Sequence, residues 1–228
     1  MNDIATRPGS TAVPTPAANP FTAYGEAASQ KSIVGKLLKF SKGDYFAGQD
    51  EDEVEEGTTF VANMDEMLVG WIRWESNKPT DQIMGKVSDG YQPPRRNELG
   101  ETDHTQWEVD DNGKQRDPWQ LSNYLLLKGT GDDSELYTFT ASSKGGLNAL
   151  GDLCKAYGKA MAQHPGEYPV VAIGVDAYDH PNRSYGRIKV PTFKIVGWAG
   201  KDVFAEDAPV TAEELPAKKA EPAKRARI

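Results

Sequence analysis

Aromatic and cationic residues interleave along several short extended runs of this chain. That pairing suits single-stranded nucleic acid, whose bases stack on exposed rings while Lys and Arg track the phosphates. Alternation in residues 135–140 (ELYTFT) puts Tyr137 and Phe139 on one face. Residues 67–74 (MLVGWIRW) do the same for Trp71 and Arg73, and residues 121–128 (LSNYLLLK) for Tyr124 and Lys128. Tyr178, Arg183, Tyr185, Arg187 and Lys189 surround the connection AYDHPNRS between the last two strand-like runs, with Arg187 and Lys189 on one side. Ser142-Ser143-Lys144-Gly145-Gly146 precedes a helix, so Lys144 and backbone N–H groups could meet a phosphate there. The same rings could instead fill a barrel interior, with Arg and Lys solvating the other face.

Residues for other chemistries are scarce or badly spaced. The three histidines, His104, His164 and His180, sit in turn-rich surroundings. Cys154 lies on the apolar stripe of a helix, where a thiol packs as a small hydrophobe. CxxC, HxxxH, HExxH and GxxxxGK[ST] are all absent. The acidic run QDEDEVEEG resembles a calcium loop in charge only: the sixth residue from Asp50 is Glu55, where an EF-hand needs Gly. No catalytic residue, metal ligand or cofactor is expected. A metal-dependent nuclease ranks third among the readings, because acids are abundant but composition singles out no pair.

Net charge is −8, which argues against a strongly basic nucleic-acid binder. The negative charge is concentrated, however. Asp44, Asp50, Glu51, Asp52, Glu53, Glu55 and Glu56 fall in one segment, and the remainder is close to neutral, so a local basic face is compatible with the composition. No apolar run approaches the roughly 18 residues that a membrane span needs. The first residues lack the pattern of a secretory signal, and a single cysteine fits a reducing cytoplasm.

The elements that must position these residues follow from periodicity. Residues 1–30 and 205–228 are rich in Ala, Pro and polar residues and read as disordered tails, the second one basic. Between them, residues 31–204 form one domain, with an exposed acidic loop at 44–56 and a turn-rich insertion at 75–118. After residue 66 the order is three strands, one amphipathic helix (Leu147, Leu150, Leu153, Cys154, Tyr157 and Met161 on its stripe), then two strands. The chain is therefore expected to be mainly β with one principal helix: an OB-fold-like Greek-key barrel with a long loop insertion. In mid-strand, Gly70 marks an expected bend. Residues 33–40 (IVGKLLKF) read as a strand or short helix, and a strand there could pair within the barrel or with another subunit.

The runs NMDEMLVGWIRW, DPWQLSNYLLL, YTFTASSKGGLNALGDLC and SYGRIKVPTFKIVGW resemble a family of uncharacterised proteins carried by bacteriophages and prophages. The resemblance covers about residues 33–200 and brings no established activity or site residue with it. More loosely, the element order and acidic balance are similar to OB-fold phage single-stranded DNA-binding proteins. Those commonly end in an acidic tail, whereas this chain ends in a basic one and has its acidic run near the front of the domain. The expectation is a non-catalytic, cytoplasmic protein that binds single-stranded DNA in phage replication or recombination, with replication or recombination proteins as further partners. The alternative is a protein-interaction module: a phage assembly factor, or an inhibitor of a host enzyme whose acidic segment mimics DNA.

Overall fold

The computed structural model describes residues 33–110, 113–131 and 134–207. The tail expected at 1–30 lies outside the described residues, as does the one expected at 205–228 beyond Asp207. Among the described residues one antiparallel-dominated sheet carries nearly all the structure. Its strands are β1 (Lys36–Ser41), β2 (Asp44–Ala47), β3 (Asp52–Val54), β4 (Thr59–Glu75), β5 (Lys78–Lys86), β6 (Trp119–Gly129), β7 (Leu136–Ala141), β8 (Glu167–Asp179) and β9 (Arg187–Gly200). The helix α1 (Lys144–Ala160) connects β7 to β8.

β4 organises the sheet. It is one continuous strand that runs through a register shift against β6 between Asn63 and Leu68. β6 pairs along one edge of β4, while β8 pairs with its start and β5 with its second half. A second shift, against β5, falls between Arg73 and Trp74, so the irregularities flank Gly70 without involving it. The full order is β3-β2-β1-β7-β6-β4-β8-β9, with β5 beside β4. The stretch β7-β6-β4-β8-β9, with a helix between β7 and β8, has the strand order of a five-stranded OB barrel. The sheet is strongly curled but open, a half-barrel.

The opening lies where β9 would close against β7. β1 takes that edge of β7, parallel to it, with Leu38 opposite Phe139. The front strand therefore pairs within the domain. Its neighbour β2 reaches across to the other side: Tyr45 Oη donates to the Gly174 carbonyl at 2.9 Å and to the Thr192 carbonyl at 3.4 Å. Phe139 and Phe193 meet edge to face at 4.9 Å across the same gap. Leu38, Tyr45, Phe60, Leu125, Leu127, Phe139, Leu150, Leu153, Val171 and Ile173 form a shared core. Complete burial of each such side chain is worth about 1.5–3 kcal/mol.

The acidic segment corrects one expectation. It is not a plain loop but supplies β2 and β3, because apolar residues alternate among its acids. Tyr45 and Ala47 are buried while Asp44 points out, and Val54 packs on the core while Asp52 and Glu53 are exposed. α1 begins where Ser143 Oγ accepts the Gly146 N–H at 3.2 Å. Leu150 and Leu153 bury its inner stripe, but Met161 lies beyond the helix end and is exposed. The chain then turns through His164, whose ring stacks on Trp198 at 3.8 Å. The folded part also runs past 204: residues Lys201–Asp207 form a 3-10 turn whose Phe204 is buried.

Candidate nucleic-acid interface

The twelve candidate residues fall into three places, and their partners differ sharply. At the far end of β4, Trp71 and Arg73 do share a face, but both are committed to the insertion. Trp71 Nε1 donates to the Pro94 carbonyl at 2.8 Å. Arg73 gives Nε and Nη2 to Glu101 at 2.9 and 2.7 Å, and Nη1 to Glu75 at 3.2 Å and Thr80 at 3.0 Å. Four of the five guanidinium N–H donors are thus used. Hydrogen bonds from Glu101 first, then Glu75, push the Arg73 pKa up, and the same Arg73 contacts hold Glu101 below the usual carboxylate range. Glu101 also accepts Trp119 Nε1 at 2.9 Å, and its carbonyl accepts Trp107 Nε1 at 2.8 Å. Arg96 chelates Asp117 through Nε at 2.8 and 2.9 Å. The assignment of Arg73 to a phosphate is therefore corrected: its charge builds the insertion.

On β7 the alternation was right and the direction wrong, whereas on β6 Tyr124 and Lys128 lie on the face opposite the buried Leu125 and Leu127. Tyr137 and Phe139 share a face, but it is the inner one. Phe139 is 1% exposed, between Tyr45 and Phe193, and stacks no base. Tyr137 meets Phe60 edge to face at 5.3 Å, and its hydroxyl donates to Glu135 at 3.0 Å. Tyr124 is half-buried, which raises its phenol pKa. Lys128 Nζ donates to the Val203 carbonyl at 2.7 Å, tying the end of the domain to β6.

The β8–β9 hairpin keeps the rest accessible, on two faces rather than one. Register pairs Ala177 with Lys189 and Asp179 with Arg187, while Asp176 pairs with Val190 and Tyr178 with Ile188. Arg187 and Lys189 stay on one side, as expected, and Tyr178 lies on the other. Toward β2 and β3 opens a groove of about 580 Å³, where Arg187 and Lys189 face Asp44, Glu53, Glu55 and Glu56. The stem of Lys189 lies over Gly43 in the β1–β2 turn. That residue has φ +105°, a backbone conformation that favours glycine, and its missing Cβ leaves room for the lysine stem. Toward α1 opens a second groove, of about 560 Å³, lined by Lys144, Asn148, Tyr178 and His180. Tyr178 is 48% exposed. Arg183 and the backbone of Tyr185 form the turn at the tip, the Tyr185 side chain being outside the described atoms. Among the described residues Lys144, Arg183, Arg187 and Lys189 make no ion pair or side-chain hydrogen bond.

Asn148 and Asp176, which line the second groove, were missed. Elsewhere the chemistry is sparse. Cys154 Sγ lies 3.4 Å from Met67 Sδ, and burial pushes its thiol pKa up. Among the described residues no group of three or more His, Cys, Asp or Glu side chains is placed to hold a metal ion. None of their helices is long and apolar enough to cross a membrane. Comparison of the chain with protein-family models, with curated proteins and with solved structures finds no match.

Proposed function

We propose that this protein is a non-catalytic single-stranded DNA-binding protein of the OB type, acting in phage DNA replication or recombination. One observation carries the reading. The hairpin joining the last two strands of the OB-ordered sheet, where such folds place one of their binding loops, holds cations that make no ion pair or side-chain hydrogen bond among the described residues. Tyr178 stacks a base; Lys144, Arg183, Arg187 and Lys189 follow the phosphates. Affinity then falls with salt as counterions are released, with a slope of about 0.7 per phosphate contact on a single strand.

The test is anisotropy titration of a labelled, mixed-sequence single strand over a series of salt concentrations, with duplex as control. Wild type is expected to prefer the single strand. Arg187→Ala with Lys189→Ala is expected to weaken binding and flatten the logarithmic salt slope by about 1.4 for two lost contacts. Binding by this variant with the wild-type slope would remove the hairpin from the interface.

A second reading rests on the groove beside β3. That strand is a free edge of the sheet, with Asp52 and Glu53 exposed on it, and the groove next to it carries more carboxylates than cations. A protein-interaction module, whether assembly factor or DNA-mimicking inhibitor, would use this acidic strip against a basic partner. In that case neutralising Glu53, Glu55 and Glu56 abolishes partner capture and leaves the oligonucleotide titration unmoved.

A further inference from the structure

Two periodicities converge on the groove between α1 and the β8–β9 hairpin. Lys144, Asn148 and Asp152 recur every four residues, so they form one stripe along α1. Asp176, Tyr178 and His180 recur every two along β8 and just past its end, so they point the same way. β9 closes the bottom with Val190, Pro191 and Phe193. The first turn of α1 sits tightly on that floor, since a Cβ on Gly145 would meet Val190 Cγ1 at 2.6 Å. The result is a cleft of about 560 Å³ with an apolar floor, an aromatic wall and a few polar groups, the make-up of a small-ligand subsite.

We infer that this cleft is a subsite for one unstacked base of the bound strand, and that it selects bases bearing an exocyclic amino group over thymine. The inference rests on the single-stranded DNA reading above. Its argument is the sign of the polar groups. Asp176 accepts the Ala177 N–H and Asp152 pairs with Lys155 at 2.9 Å, each with carboxylate acceptor capacity to spare, and the Asn148 side chain, which makes no hydrogen bond among the described residues, offers both a donor and an acceptor. Carboxylates repel phosphate, so the sugar–phosphate must stay at the rim, near Lys144, and the base edge points inward. There a carboxylate accepts the N4 amino group of cytosine, a pairing that base recognition uses elsewhere, and the Asn148 amide can donate to the adjacent ring N3. Thymine presents one ring N–H flanked by two carbonyl oxygens, which the carboxylates repel. Tyr178 supplies stacking to either base and therefore no discrimination.

The experiment compares oligo-dC with oligo-dT of equal length, in mildly alkaline buffer at fixed salt, on the full chain. Both are pyrimidines, so ring size and stacking are matched. Wild type is expected to bind oligo-dC about tenfold more tightly, the lower part of the range for one good base contact. Asp176→Asn preserves shape and the acceptor that Ala177 N–H uses at 2.7 Å. It is expected to bring the dC/dT ratio toward one, and Asn148→Ala to do the same. The ratio matters because removing a negative charge strengthens binding to both strands alike. Equal affinities of wild type for the two strands, or a ratio that neither variant moves, overturn the base subsite and leave the single-strand reading standing. Failure to bind either strand overturns both.

Discussion

The two ends of β4 use the same residue types for opposite purposes. At the insertion end, Arg73 and Arg96 are paired with Glu101, Glu75 and Asp117, and Trp71, Trp107 and Trp119 all donate their indole N–H groups to neighbouring oxygens. At the hairpin end, Lys144, Arg183, Arg187 and Lys189 have no such partner among the described residues. A cation that is already hydrogen-bonded to a carboxylate would have to break those bonds to meet a phosphate. An unpaired one loses only water and counterions. Residue type therefore says little about function here, and the inventory of partners says most.

Three measurements break or sharpen this contrast. The largest effect is expected from Phe139→Ala. A core ring truncated to Ala costs about 3–5 kcal/mol, so chemical denaturation should show a large loss of stability. A variant of near-normal stability with lost DNA binding would return Phe139 to the surface and undo the assignment of the inner face. Next comes Arg73→Ala, which strands Glu101 at the insertion end. It should lower stability by about 1 kcal/mol, because these contacts are partly solvated. The salt slope for DNA should not move; a slope flattened as in the Arg187, Lys189 double variant would erase the distinction between the two ends. The smallest effect is a pH dependence. Contacts with Arg73 hold the folded-state Glu101 pKa below its ordinary value of 4.5. Its contribution to stability is thus complete above pH 4.5 and fades as pH falls through the lowered value. Glu101→Gln should remove that part of the acid sensitivity in thermal melts, and identical pH profiles for the two proteins would show that Glu101 is not coupled to folding.

The order of strands around one helix was legible because alternation and helical spacing are local properties. Residues 67–74, 121–128 and 135–140 revealed their faces in the same way. What alternation leaves open is which face points inward, and Tyr137 and Phe139 were consequently read outward. β2 and β3 were hidden by their own acids, since Tyr45, Ala47 and Val54 occupy inward positions between charges that look like loop. Arg73 and Lys128 were misjudged for a different reason. Their partners, Glu101 and the Val203 carbonyl, lie 28 and 75 residues away, and no local pattern announces such pairs. In the hairpin, Arg187 and Lys189 do share a side, as their spacing of two residues indicated. Even there, register was needed to separate Tyr178 from Arg187 and Lys189.

The gap in the half-barrel has a mechanical consequence. β8 is laddered to β4 through only three residue pairs, Thr59–Ala172, Phe60–Val171 and Val61–Val170, and the outer edge of β9 ends the sheet. Beyond that ladder, Ile173 exchanges backbone hydrogen bonds with Gly57 and Thr58, Glu56 accepts the Val175 N–H, and α1, the Tyr45 hydroxyl and rings such as Phe193 on Phe139 hold the rest of the hairpin. It is a cantilever clamped at its base, and past Val175 the backbone pairing of its tip is the one between β8 and β9 themselves. Amide protons along the open edge of β9 should then trade with solvent well before those of β6, which is laddered on both sides. A strand of variable sequence, threading past such a tip, would meet a compliant spring and not a rigid mould.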